Sequence, residues 1–113
     1  MEIPVEQVAD IAVLVIPGDR LEAKKAAEFK HQIKPILQKH HRVVFDMSQL
    51  LFVDSSGLGA ILSCLRQLND DGGDLKLCAM TKQVRAIYEL VRMHRVFEIF
   101  QTKDDAIRAF QRG

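Results

Sequence analysis

Apolar positions along the chain follow two different periods. Ala9 to Ile16 is read as a strand, because Ile11 to Ile16 is an unbroken run of mostly branched residues, which suits a strand covered on both faces. A weaker strand is expected before it, over Ile3–Gln7, and the short turn between Val8 and Asp10 would pair the two antiparallel. Pro17-Gly18-Asp19 ends the run as a turn. From Glu22 to His40 the period lengthens: Ala26, Phe29, Ile33, Ile36 and Leu37 recur at helical spacing, with Lys24, Lys25, Lys30, Lys34 and Lys39 mainly off that stripe. Pro35 lies inside the pattern. It removes one backbone hydrogen bond and crowds the turn before it, so a kink near His31–Lys34, or a break into two helical pieces, is expected.

The second half repeats the alternation. Val43-Val44-Phe45 is a short apolar strand ending at Asp46, and a connecting segment, Met47–Val53, carries its own apolar cluster. Leu58, Ile61, Leu62, Leu65 and Leu68 then fall at steps of three and four, a core-facing helical stripe stopped by Asn69-Asp70-Asp71-Gly72-Gly73. Leu75, Leu77 and Ala79 alternate with Lys76, Cys78 and Met80, which predicts a strand with one better-covered face. Thr81 is placed to cap a third helix bearing Val84, Ile87, Tyr88 and Val91. Val96–Phe100 reads as a last strand, and Thr102 or Lys103 opens a last helix with Ala106, Ile107 and Phe110 inward. The fold class is therefore α/β: about five strands and four helices, alternating as a mostly parallel mixed sheet with right-handed crossovers requires. Helices on a single face would suffice if the other face were modestly polar.

Composition narrows the function classes. The 113 residues are 48% hydrophobic and 27% charged, as in one folded domain spanning residues 1–113. Sixteen Lys plus Arg against fifteen Asp plus Glu leaves a net charge of +1, which calls for neither nucleic acid nor an anionic membrane. The longest apolar run, Ile11–Pro17, is far short of the roughly 20 residues a bilayer crossing needs. With no targeting pattern at the N-terminus, a cytoplasmic protein without membrane insertion is expected. Cys64 and Cys78 form no zinc spacing and no CxxC pair, and are read as reduced thiols in or near the core. His40-His41 beside Lys39 and Arg42 reads as a wet helix end, so neither metal nor cofactor is assigned.

The chemistry concentrates in Asp54-Ser55-Ser56-Gly57-Leu58-Gly59, which joins an apolar segment to a helix start. Ser55 or Ser56 is able to cap that helix, and its free N–H groups make an anion-tolerant end. Two hydroxyls exceed what one cap needs, and Gly59 costs roughly 1 kcal/mol of helix propensity relative to Ala. A helix start of that kind suits close approach by another backbone. The GxxxxGK[ST], GxGxxG and GxSxG patterns are all absent. No histidine has a partner that spacing alone places, so no catalytic residue is assigned.

These residues resemble the signature of the STAS domain, and more narrowly that of bacterial anti-sigma factor antagonists. The likeness rests on Val43-Val44-Phe45-Asp46 followed by Leu51-Phe52-Val53-Asp54-Ser55-Ser56-Gly57-Leu58-Gly59. It extends to the early Gly18-Asp19 turn, the Gly72-Gly73 turn before Leu75, and the element order over nearly the whole chain. The resemblance implies a phosphorylation site at Ser55, acted on by a cognate anti-sigma factor that is also a serine kinase of the histidine-kinase-like ATPase type. A PP2C-type phosphatase would reset it. The unphosphorylated form would bind the anti-sigma factor and the phosphorylated form would be released. The expected partner face comprises Asp19, Arg20, Asp54, Ser55, Ser56, Gly57, Leu58 and Gly59, with Ser63, Arg66 and Gln67 along the motif helix. Leu58 reads as core first and contact second. The chain departs from the family pattern in Pro35 and in Arg20-Leu21-Glu22, which offers no Ser, Thr or Asp to cap the first helix. A monomer is expected, since the apolar stripes are of core width and no heptad persists. The alternative function is a constitutive STAS subunit of a transport or other regulatory complex.

Overall fold

A computed structural model describes residues 2–112. Its main sheet contains β1 (Val5–Val8), β2 (Ile11–Val15), β4 (Arg42–Asp46), β6 (Asp74–Cys78) and β7 (Glu98–Phe100), in that spatial order. β1 runs antiparallel to β2 through the tight Ala9-Asp10 turn, and the other neighbours are parallel. Three helices, α1 (Ala23–Leu37), α2 (Ser55–Asp70) and the shorter α3 (Lys82–Leu90), provide the crossovers, and α4 (Lys103–Gln111) follows β7. A second, two-stranded parallel sheet, β3 (Arg20–Leu21) with β5 (Phe52–Val53), was not expected from the sequence.

Period-two alternation sends the two faces of the sheet into two cores. Ala12, Leu14, Val43, Phe45, Leu75 and Leu77 pack under α1, α2 and α3 with Phe29, Ile61 and Tyr88. Ile11, Val13, Val44 and Cys78 pack under α4 with Ala106, Ile107 and Phe110. The second face is thus covered, and β6 is buried on both sides rather than one. Lys76 falls on the α4 face. Its Nζ lies 2.7 Å from Glu98 and 3.3 Å from Asp74, and 4.5 Å from the centre of the Phe110 ring, so its buried stem carries a paired charge.

Three expectations need correction. The first helix is not broken into two pieces: Pro35 sits in its last turn, with only Ile36 and Leu37 after it, and a single lost N–H there does not end the helix. The last strand begins at Glu98, because Met93–Arg95 forms a 3₁₀ turn capped by Val96. Val91 is half-exposed rather than core. It is the C-cap of α3, after which Arg92 adopts a left-handed conformation and turns the chain away.

Candidate functional site

The site begins where the small sheet meets the start of α2. The Asp19 carbonyl accepts from Leu51 N (2.7 Å) and Phe52 N (3.1 Å), fixing the Gly18-Asp19 turn against the segment before the motif. Arg20 lies over the Phe52 ring, 4.6 Å from its centre, and donates to Glu22 Oε1 at 2.9 Å. That hydrogen bond, and then the Glu22 charge, raises the Arg20 guanidinium above its ordinary value. Leu21 is fully buried, and its carbonyl accepts from Asp54 N at 3.4 Å. The same carbonyl explains Gly57: a Cβ there would lie 2.1 Å from Leu21 O. Gly57 is where two backbones touch.

Asp54 holds two helix starts with one carboxylate. Its Oδ1 accepts from Gly57 N at 2.9 Å, capping α2. Its Oδ2 accepts from Ala23 N at 3.3 Å, at the head of α1. Glu22, the N-cap residue of α1, makes no side-chain cap, so the cap absent from Arg20-Leu21-Glu22 is supplied from 31 residues away. The expectation that Ser55 or Ser56 caps α2 is therefore corrected. Asp54 precedes both serines and has already satisfied the N–H their hydroxyls would compete for. Ala23 takes a φ of +38°, a conformation uncommon for a residue with a Cβ.

Ser55 and Ser56 consequently occupy the first turn of α2 with exposed side chains. No charged residue accompanies them in that turn. Among the described residues neither hydroxyl is hydrogen-bonded to a histidine or any other base. Gly59 is exposed, and a Cβ there would meet nothing within 4 Å. Leu58 is half-buried and packs on the edge of the larger core. Ser63, Arg66 and Gln67 lie further along α2, facing α1, and Gln67 Nε2 donates to Lys34 O at 3.0 Å. Arg66 is roughly 16 Å down the axis from Ser55 at the standard helical rise. The sequence-derived set thus divides in two: Asp19, Arg20 and Asp54–Gly59 at the helix head, and Ser63, Arg66 and Gln67 along the α1–α2 seam.

The remaining reactive groups are withdrawn into the core. Burial pushes the Cys64 and Cys78 thiols from 9.0 up to about 12, and both cysteines are free. Among the described residues no group of three or more His, Cys, Asp or Glu side chains is placed to hold a metal ion. No described helix is long and apolar enough to cross a membrane.

Sequence reasoning missed Leu21, Ala23 and Phe52. The first two act through backbone atoms, which leave no residue-type signal, and Phe52 serves as the platform for Arg20.

The STAS domain family model matches residues 2–106. The chain belongs to the STAS domain family. A STAS relative from Bordetella bronchiseptica, named "Putative anti-sigma factor antagonist BtrV", is 29% identical over 94 residues, covering 83% of this chain and 75% of the relative. The crystal structure of a Thermotoga maritima protein described in the same terms superposes with a TM-score of 0.87 at 25% identity, over 95% of this chain and 92% of that one. SpoIIAA, an anti-sigma factor antagonist and Bacillus cell fate determinant, shares the fold with a TM-score of 0.71 in its unphosphorylated form, at 17% identity and 99% coverage of both chains. Its phosphorylated form gives the same TM-score at 19% identity, over 96% of this chain and 99% of that one. In this STAS domain the Asp54–Gly59 motif lies at the head of α2.

Proposed function

We propose that this STAS protein is an anti-sigma factor antagonist whose partner binding is switched by phosphorylation of Ser55. The observation that carries this reading is the division of labour at the α2 head. Asp54 does the capping, which leaves the Ser55 hydroxyl exposed and without a structural task. A phosphate there would add about −1.5 to −2 charge at a helix N-terminus, where the backbone tolerates it. Nothing in the first turn would neutralise it, Asp54 lies next to it, and the nearby Arg20 already binds Glu22. The added charge would be met by the partner, as local electrostatic exclusion rather than refolding. Two forms of SpoIIAA with the same backbone likeness to this chain support a switch without refolding. The partner would be a cytoplasmic anti-sigma factor with serine-kinase activity of the histidine-kinase-like ATPase type. A PP2C-type phosphatase would restore Ser55. The chain itself would contribute binding and no catalysis.

Peptide mass spectrometry of the protein from its native cells, beside Ser55→Ala, tests the switch. A phosphate localised to Ser55 and absent from the variant is expected. Ser55 unmodified across growth and stress conditions would overturn the switch and favour a constitutive STAS subunit of a transport or other regulatory complex.

A further inference from the structure

Gly59 has no explanation inside the fold. It lies in the interior of α2, its backbone is helical, and a Cβ would find open space. Neither conformation nor packing requires glycine there, although glycine weakens a helix. What the position does have is a cleft. Between α1 and α2 runs a depression of about 470 Å³, lined by Ala23, Ala27, Gly59 and Ser63 and flanked by Lys30 and Arg66. It continues into a second cleft of about 410 Å³, which shares Ser63 and Arg66 and adds Lys34, Asp70 and Asp71, so the acid-free part is the one beside Ser56. The part nearest Ser56 contains two cations and no acid. Among the described residues neither Lys30 nor Arg66 has an ion pair or a side-chain hydrogen bond. Small side chains at the floor and uncommitted cations at the rim complement a partner of opposite charge that approaches through its main chain.

We infer that this cleft receives an acidic segment of the same partner that engages the Ser55 end, with the segment's backbone passing over Gly59. The inference rests on the partner reading above and adds the chemistry of what the partner inserts. It also gives Ser63 and Arg66 a role separate from the phosphorylatable turn: charge on the segment selects the partner, and Ser55 decides when it stays.

The test places a short diazirine-bearing side chain at Ala27 in the cleft, at Ser56 at the helix head, and at Asp104 on the opposite sheet face, each in full-length protein in its native cells. The Ala27 and Ser56 probes are expected to crosslink one and the same polypeptide, with an excess of Asp and Glu in the peptide joined to position 27. The Asp104 probe should not capture it. Reversing the rim with Lys30→Glu and Arg66→Glu should lower the Ser56 crosslink about tenfold. Gly59→Gln should lower it likewise without lowering Tm, which separates a blocked cleft from a damaged fold. A Ser56 crosslink with none from Ala27 overturns the cleft assignment and leaves the partner reading standing. So does an Ala27 crosslink to a non-acidic peptide, a lipid or a second copy of this chain. Failure of both probes to capture any protein, together with an unmodified Ser55, overturns both.

Discussion

The inner and outer sides of the first turns of α2 are built on opposite terms. On the inner side, Gly57 lies where a Cβ would be 2.1 Å from the Leu21 carbonyl, and the Asp54 carboxylate bridges the starts of two helices. On the outer side, Ser55, Ser56 and Gly59 are exposed, and nothing stands against Gly59. Five positions in one short motif therefore answer to two kinds of demand. The inner pair is explained by the fold without reference to a partner. The outer residues are free of the fold's packing, so their identities are available to be set by whatever binds there. A motif read as a single functional unit hides this distinction, and mutation on the two sides should separate stability from binding.

The largest effect is expected at Gly57. In Gly57→Ala the added methyl meets backbone rather than a flexible side-chain tip, so α2 or the Arg20–Leu21 strand must shift. A loss of about 3 kcal/mol or more is expected, by overpacking against a carbonyl that is also a hydrogen-bond acceptor. Chemical denaturation should show it as a lower midpoint. An unchanged midpoint would mean that the inner side is not tight and would remove the contrast.

Asp54→Ala should come next, at about 2 kcal/mol, because a cap is worth about 1 kcal/mol and two N–H groups lose their acceptor together. Asp54→Asn sharpens the reading. Its single amide oxygen serves only one of Gly57 N and Ala23 N, so roughly half the loss should return. Equal losses in the two variants would instead point to the negative charge at the helix head as the main contribution.

Cys64 extends the inner face of α2 into the core, and its chemistry is legible in pH. Burial raises its thiol from 9.0 to about 12, and Cys78 is raised to the same value. A thiol that stays protonated in the fold but ionises in the unfolded chain gives stability that is fully present below pH 9 and declines as pH rises toward 12. Tm should therefore fall progressively above about pH 9, and Cys64→Ala should flatten that slope while lowering Tm at neutral pH by leaving a small cavity. A slope unaffected by the substitution would assign the alkaline loss to other groups.

The same division explains what the sequence made legible. Elements came through where one periodicity governed a long stretch: the β2 run, the α2 stripe from Leu58 to Leu68, and the Thr81 and Thr102 caps, which accept from Val84 N and Asp105 N. The β3–β5 pair did not, because two-residue strands have no period to detect. The second role of Asp54 was hidden because its partner is a backbone N–H 31 residues away, at an alanine. Coverage of the sheet by α4 was equally invisible in Leu75–Cys78, since Lys76 reads as a solvent position until Glu98, Asp74 and Phe110 are brought around it. In the motif, residue type identified the place. Only the structure separated the residue that caps from the residues left exposed.

The smallest effect, and the one of opposite sign, is expected at Gly59. In Gly59→Ala the methyl enters open space on a helix whose backbone is already in the conformation alanine prefers. The variant should gain about 0.5–1 kcal/mol, read as a rise in Tm of about 3–5 °C for a domain of this size. Gly57→Ala and Gly59→Ala, two residues apart, make the same chemical change and should move Tm in opposite directions. A fall at Gly59 would show that the outer side is also occupied within the chain, and the α1–α2 cleft would lose its claim to a partner. A rise would mean that this protein retains a less stable helix start than one methyl group would give it. The reason for keeping glycine would then lie outside the fold, in what must pass over that surface.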